Sequence, residues 1–145
     1  MRLTKIAESY VRQAEARLKN AEGALAETNY PYAVRLSQEC VELCLKAVLK
    51  VIGIEYPKIH DVSDILLDFK NRLPRWFQEE TEFLSESSKI LVKKREPSLY
   101  GAEETLASPE DIISEEDAED ALRRARKTFS MCKKLLGEAE TTSER

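Results

Sequence analysis

The sequence predicts an all-α fold, an up-and-down bundle of four to five helices, and three observations carry that expectation. A chain of 145 residues with 42% hydrophobic and 34% charged residues, but only 4 glycines and 5 prolines, has too few turn-formers for a many-stranded β fold and too much apolar content for disorder. Apolar residues recur every three or four positions through most of its length, which is the period of a helix with one buried face. The stretch from Ser37 to Lys50 goes further, being apolar around most of its circumference and polar along one stripe, so as a helix it belongs at the centre of a bundle.

The elements follow in order. A first helix is expected over residues 3–27, where Ile6, Tyr10, Ala14, the Arg17 stem, Leu18, Ala21 and Leu25 share a face. Asn29-Tyr30-Pro31 is a stop-and-start signal, because Asn favours turns and Pro is tolerated in a first helical turn, where its missing N–H is not needed. The second helix, over 32–52, ends before Gly53, and Pro57 prevents its continuation. Asp61 is the expected N-cap of a short third helix over 62–70. A fourth helix is expected over 75–92, and Pro97, Gly101 and Pro109 then predict a long loop over 93–113. Ser114, followed by Glu115, Glu116 and Asp117, supplies a cap and an acidic first turn for the last helix, which runs to Gly137. One domain over residues 1–137 with a frayed tail over 138–145 is the expected organisation.

Composition also excludes. The formal charge of -4 argues against general adhesion to duplex nucleic acid, so any contact with a polyanion has to be local. Three cysteines, Cys40, Cys44 and Cys132, lie inside helical patterns, which suits a reducing cytoplasm and small core residues better than a disulfide framework; no zinc-type spacing accompanies them, so no metal and no cofactor is expected. No apolar run approaches the ~20 residues of a membrane span.

Three places could carry chemistry. The polar stripe of the second helix comprises Arg35, Gln38, Glu39, Glu42, Lys46 and Lys50; it could line a ligand cleft, or could serve as an internal network in which Glu42 and Lys46 pair along the helix. His60, the single histidine, stands beside Asp61 at a helix start, where it could meet a phosphate or shuttle a proton; the plainer role of both residues is to fix the turn. Lys93, Lys94 and Arg95, followed by the aromatic Tyr100, form the best phosphate or nucleotide contact in the chain, with a solvated helix end as the plainer role. The basic half of the last helix, from Arg123 to Lys134, could extend that surface or be an ordinary solvated face.

The series Asn29-Tyr30-Pro31-Tyr32-Ala33, Gln38, Glu42, Lys46-Ala47, Gly53, His60-Asp61 and Ile65-Leu66 resembles the HEPN domain, a family of small helical-bundle proteins of archaea and bacteria named for a proposed nucleotide-binding role. The resemblance implies a bundle that commonly forms homodimers and often works beside a small nucleotidyltransferase as a toxin–antitoxin pair. It also implies a metal-independent ribonuclease site in many members, an arginine followed about four to six residues later by a histidine, since a guanidinium forks onto phosphate and an imidazole moves protons near neutral pH. In this chain Arg95-Glu96-Pro97-Ser98-Leu99-Tyr100 occupies that position, with a tyrosine in place of the histidine. A phenol with an ordinary pKa near about 10 is a poor base at neutral pH. The expectation is therefore a non-catalytic component that binds a nucleotide, RNA or a protein partner; the alternative is a ribonuclease in which Arg95 holds the phosphate and Tyr100, or His60 from another chain, completes the site.

Overall fold

The computed structural model describes residues 1–143, with side-chain surroundings given through Ala139. Its α-helices are α1 (Lys5–Ala26), α2 (Tyr30–Val51), α3 (Ser63–Asp68), α4 (Arg75–Gln78), α5 (Thr81–Tyr100), α6 (Pro109–Ile112) and α7 (Glu115–Ser143). No β-strand occurs among the described residues, so the predicted all-α bundle is the fold. The long helices α1, α2, α5 and α7 form the bundle, and α2 packs against the other three.

The placement of α2 follows from its composition. Val34, Val41, Cys44, Leu45, Val48 and Leu49 are all essentially inaccessible, and removing each Val or Leu from water contributes about 1.5–3 kcal/mol. Pro31 occupies its first turn as expected. The chain enters α2 from α1 through a turn in which Thr28 takes a left-handed φ of 60°, which makes the two helices antiparallel neighbours. At the start of α1, the Thr4 hydroxyl accepts from the Ala7 N–H at 3.2 Å. At the start of α7, Ser114 and Asp117 exchange hydrogen bonds, Asp117 N to Ser114 Oγ at 3.1 Å and Ser114 N to Asp117 Oδ2 at 3.0 Å, the reciprocal cap that an acidic first turn favours.

Four boundaries differ from the expectation. The helix expected over 75–92 is two elements, because the chain turns after Gln78, whose carbonyl accepts from the Thr81 hydroxyl at 2.8 Å. The expected loop from 93 is instead the last two turns of α5, which continues through Pro97 to Tyr100. Proline removes one N–H from the ladder, but the helix is held by neighbours on both sides, Arg95 bonding to α2 and Lys94 to α7. α5 ends at Gly101 (φ 68°), where a Cβ would collide with the Ala107 carbonyl oxygen, and a tight hairpin closed by Ala102 and Ala107 leads to α6. Within this hairpin Leu106 is left-handed (φ 59°) and 90% exposed. The residue that begins the third helix is Ser63, with Val62 in the cap position and Asp61 bonded to Ser63 from one residue further out. Finally, α7 continues past Gly137: Trp76 Nε1 donates to Glu138 Oε1 at 3.0 Å and Ala139 is fully buried, while residues 144–145 of the expected tail lie outside the described residues.

Candidate functional site

The polar stripe of α2 is the spine of the site. Residues four apart on a helix lie one above another, so Arg35 Nε reaches Glu39 Oε2 at 3.1 Å, Gln38 Nε2 donates to Glu42 Oε1 at 2.9 Å, and Lys46 Nζ donates to Glu42 Oε2 at 2.9 Å. Other elements join this ladder from either side. From α5, Arg95 Nη1 donates to Gln38 Oε1 at 2.7 Å and to Glu39 Oε2 at 3.3 Å. From the segment before α3, His60 Nδ1 meets Glu42 Oε1 at 2.8 Å. From α1, Arg17 Nε donates to Glu39 Oε1 at 3.0 Å. Arg17, Glu39, Arg95, Gln38, Glu42 and His60 thus form one continuous chain of polar contacts across four segments.

Two carboxylates organise it. Burial alone would raise the pKa of Glu39, but hydrogen bonds from Arg17, Arg95 and Arg35 outweigh burial and hold it below the usual carboxylate range. At Glu42 burial is again outweighed, here by Lys46, Gln38 and His60, and the pKa is lowered. Because a carboxylate only accepts, the proton of the His60–Glu42 contact sits on Nδ1, which leaves Nε2 as the free position of a ring that is 53% exposed. Gln38 is fully covered, its amide bridging Arg95 to Glu42.

This network borders open space. Arg17, Arg35, Glu39, Glu42, His60 and Arg95 line a cleft of about 370 Å³, and a neighbouring cleft of about 440 Å³ shares His60 and Arg95 and extends to Tyr100. Of the residues singled out in the sequence, Arg35, Gln38, Glu42, His60, Arg95 and Tyr100 therefore gather in one region, with His60 and Arg95 of the same chain facing a common space.

Lys46, Asp61, Lys93 and Lys94 do not line these clefts. Lys93, Lys94 and Arg95 are consecutive on a helix and so point about 100° apart; Lys94 Nζ is taken by Asp117 Oδ1 of α7 at 2.7 Å, and Lys93 is exposed outside the cleft. The three cations expected to act together are separated because α5 is helical where a loop was expected. Lys46 pairs with Glu42 and lies, with Lys50, over the Tyr56 ring, on the side of the stripe away from Arg95. Asp61 works beside the cleft: its Oδ1 accepts from Ser63 N, Ser63 Oγ and Ser88 Oγ, and its Oδ2 from Lys89 at 3.1 Å, tying the entry of α3 to α5. Burial would raise its pKa, and these donors instead hold it down at about 2.

Sequence reasoning missed Arg17 as a site residue, taking its stem as part of a buried face. The signal was present in the hairpin register: Arg17 and Glu39 each lie eleven residues from Thr28, the centre of the α1–α2 turn, and so stand level across the antiparallel pair. The basic residues of α7 do not extend the cleft. Arg123 and Arg124 bind Asp120, Arg126 reaches Glu22, and Lys127 pairs with Glu80.

Comparison with known proteins agrees with this architecture. A crystal structure of TT1696 from Thermus thermophilus superimposes with a TM-score of 0.74 over 90% of this chain and 98% of that one, at 24% identity, a likeness of fold. A crystal structure of ST0689, described as an archaeal HEPN homologue, gives a TM-score of 0.68 over 92% of this chain and 99% of that one, at 25% identity. A protein of Methanocaldococcus jannaschii named "Putative toxin MJ1304" is 31% identical over 140 residues, which span 92% of this chain and 90% of the relative. The model of the HEPN domain matches residues 7–135, nearly the whole bundle including α2 and its polar stripe, and the chain belongs to the HEPN domain family.

Proposed function

We propose that this protein is the HEPN component of a toxin–antitoxin-type pair, and that its cleft holds the phosphate of a nucleotide or RNA without cleaving it. The observation that carries the reading is Arg95: its guanidinium is steered by Gln38 and Glu39 into the wall of an open cleft, while Tyr100, at the residue where a catalytic imidazole is expected, supplies an aromatic face in place of an imidazole. The similarity to the archaeal protein named as a toxin supports the toxin–antitoxin context. As the resemblance implies, the working unit is a homodimer with a small nucleotidyltransferase as partner. Light scattering at two concentrations and co-purification with the product of the neighbouring gene test these two parts.

A specific observation favours a second reading, ribonuclease activity. His60 shares the cleft with Arg95 within one chain and is oriented by Glu42, so Nε2 would serve as the base toward an attacking 2′-hydroxyl while Arg95 holds the phosphate. Incubation of the intact protein with total RNA decides between them. Equal, background-level decay with wild type, Arg95→Ala and His60→Ala is expected for a binder. Cleavage by the wild type that falls by about a hundredfold or more in both variants establishes the enzyme.

A further inference from the structure

We infer that Arg17, Arg35 and Tyr32 form a second nucleotide subsite beside the Arg95 cleft, so that the ligand is an unpaired oligonucleotide rather than a mononucleotide. The inference rests on the reading that the Arg95 cleft takes phosphate. Its basis is the continuity of the surface. The cleft bounded by Tyr100, His60 and Arg95 shares the latter two with the cleft that adds Arg17 and Arg35; this second cleft shares Arg17 and Arg35 with a third, of about 240 Å³, that adds Asn20 and Tyr32. Depressions with common walls make one track, from the end of α5 across α2 to the face between α1 and α2.

The chemistry along the track is suited to a single strand. An exposed tyrosine stands near each end, Tyr100 at 60% and Tyr32 at 42% accessibility, and stacking on such rings requires bases that are not paired. Between them lie three guanidiniums and two carboxylates, Glu39 and Glu42, so the centre carries an excess of positive charge inside a chain whose net charge is -4. Glu42 is balanced by Lys46, whereas Tyr100 at the far end stands among Glu96, Glu103 and Glu104, so the positive charge is confined to the centre and the Tyr32 end of the track. Among the described contacts Arg35 is engaged only through Nε and Arg95 only through Nη1, so donors remain on both for phosphate oxygens, and Glu39 acts as a built-in counter-ion that a phosphate would displace. The two arginines that extend the track come from elements other than α5. The length of ligand recognised therefore depends on the α1–α2 pairing as well as on the Arg95 segment.

The test is fluorescence anisotropy of the full chain with a labelled single-stranded RNA of about ten nucleotides, the same RNA annealed to its complement, and AMP as competitor. Tyr32→Leu is expected to weaken binding of the single strand by about tenfold while leaving AMP competition unchanged, and Arg17→Ala to weaken binding of the single strand by about tenfold. Arg17→Lys, which keeps the charge, should restore part of the loss, and the duplex should bind more weakly than the single strand. The logarithm of the affinity should fall with the logarithm of salt at a slope of about -2, the value for three phosphate contacts on a single strand. If Arg17→Ala and Tyr32→Leu bind the single strand as wild type does while Arg95→Ala loses both probes, the second subsite is overturned and the phosphate reading stands. Binding of neither probe by the wild type overturns both.

Discussion

Two arginine nodes in this bundle show how the same side chain can serve opposite ends. Arg124, on α7, is nearly buried and enclosed by the protein: Nε donates to Asp120 Oδ2 at 2.8 Å, Nη1 to Ser87 Oγ at 3.0 Å, Nη2 approaches Glu86 at 3.7 Å, and the guanidinium lies against the Phe83 ring. Arg95, on α5, shares a single carboxylate with Arg17 and Arg35 and borders open space. At the first node the carboxylates Asp120 and Glu86 match the guanidiniums of Arg124 and Arg123 in number, and every contact is with the protein. The second has guanidiniums in excess of carboxylates and a cleft in front of them. The ratio of charges at a node, together with the space beside it, separates the two arginines better than residue type does, and it is the basis for proposing one as a ligand contact and the other as a fastener.

That difference can be broken from either side. The largest effect is expected for Arg124→Met, which takes one of the two guanidiniums from Asp120 and the guanidinium donor from Ser87. Removing one partner of a buried pair costs about 3–5 kcal/mol, and because Asp120 is partly open to solvent the expected loss is about 2–3 kcal/mol, read as a lower urea midpoint with no change in RNA affinity. Asp61 is a second such node, and Asp61→Asn should cost about 1–2 kcal/mol through its weakened hydrogen bonds. Its pH signature has a definite sign. The folded-state pKa, held near about 2, lies below the ordinary carboxylate value, so the stabilisation is complete above about pH 4 and is lost as the pH falls towards about 2. Urea midpoints measured across that window should fall less steeply in the variant than in the wild type.

The smallest stability effect and the most telling one belong to Glu39→Gln. The amide keeps the shape and removes the charge that three guanidiniums share, which should cost about 1 kcal/mol of stability and raise single-strand RNA affinity by about fivefold. A variant that is less stable yet binds more tightly distinguishes a counter-ion in a ligand site from a purely structural salt bridge, for which both would fall or binding would not change. A result in which Glu39→Gln weakens binding would place Glu39 among the groups that contact ligand through hydrogen bonds it accepts.

What could be read from the residues alone was local. The central position of α2 follows from its near-continuous apolar circumference, the start of α7 from Ser114 and its acidic first turn, and the break between α1 and α2 from Asn29 and Pro31, because helix period, capping and proline geometry act over a few residues. The passage of α5 through Pro97 was not legible, since proline's local preference is against it and the compensation comes from α2 and α7. Nor was the assembly of the site: Arg95 meets Gln38 from 57 residues away, Arg17 meets Glu39 from 22, and His60 turns onto Glu42 from 18. The sequence by itself determined the all-α class, the first two helices and the last, and which of them is the buried rod, because periodic burial is written into each of those segments. Only the tertiary structure decided which cations share one carboxylate in front of an open cleft and which are used up in fastening, because that depends on the register in which separate helices pack.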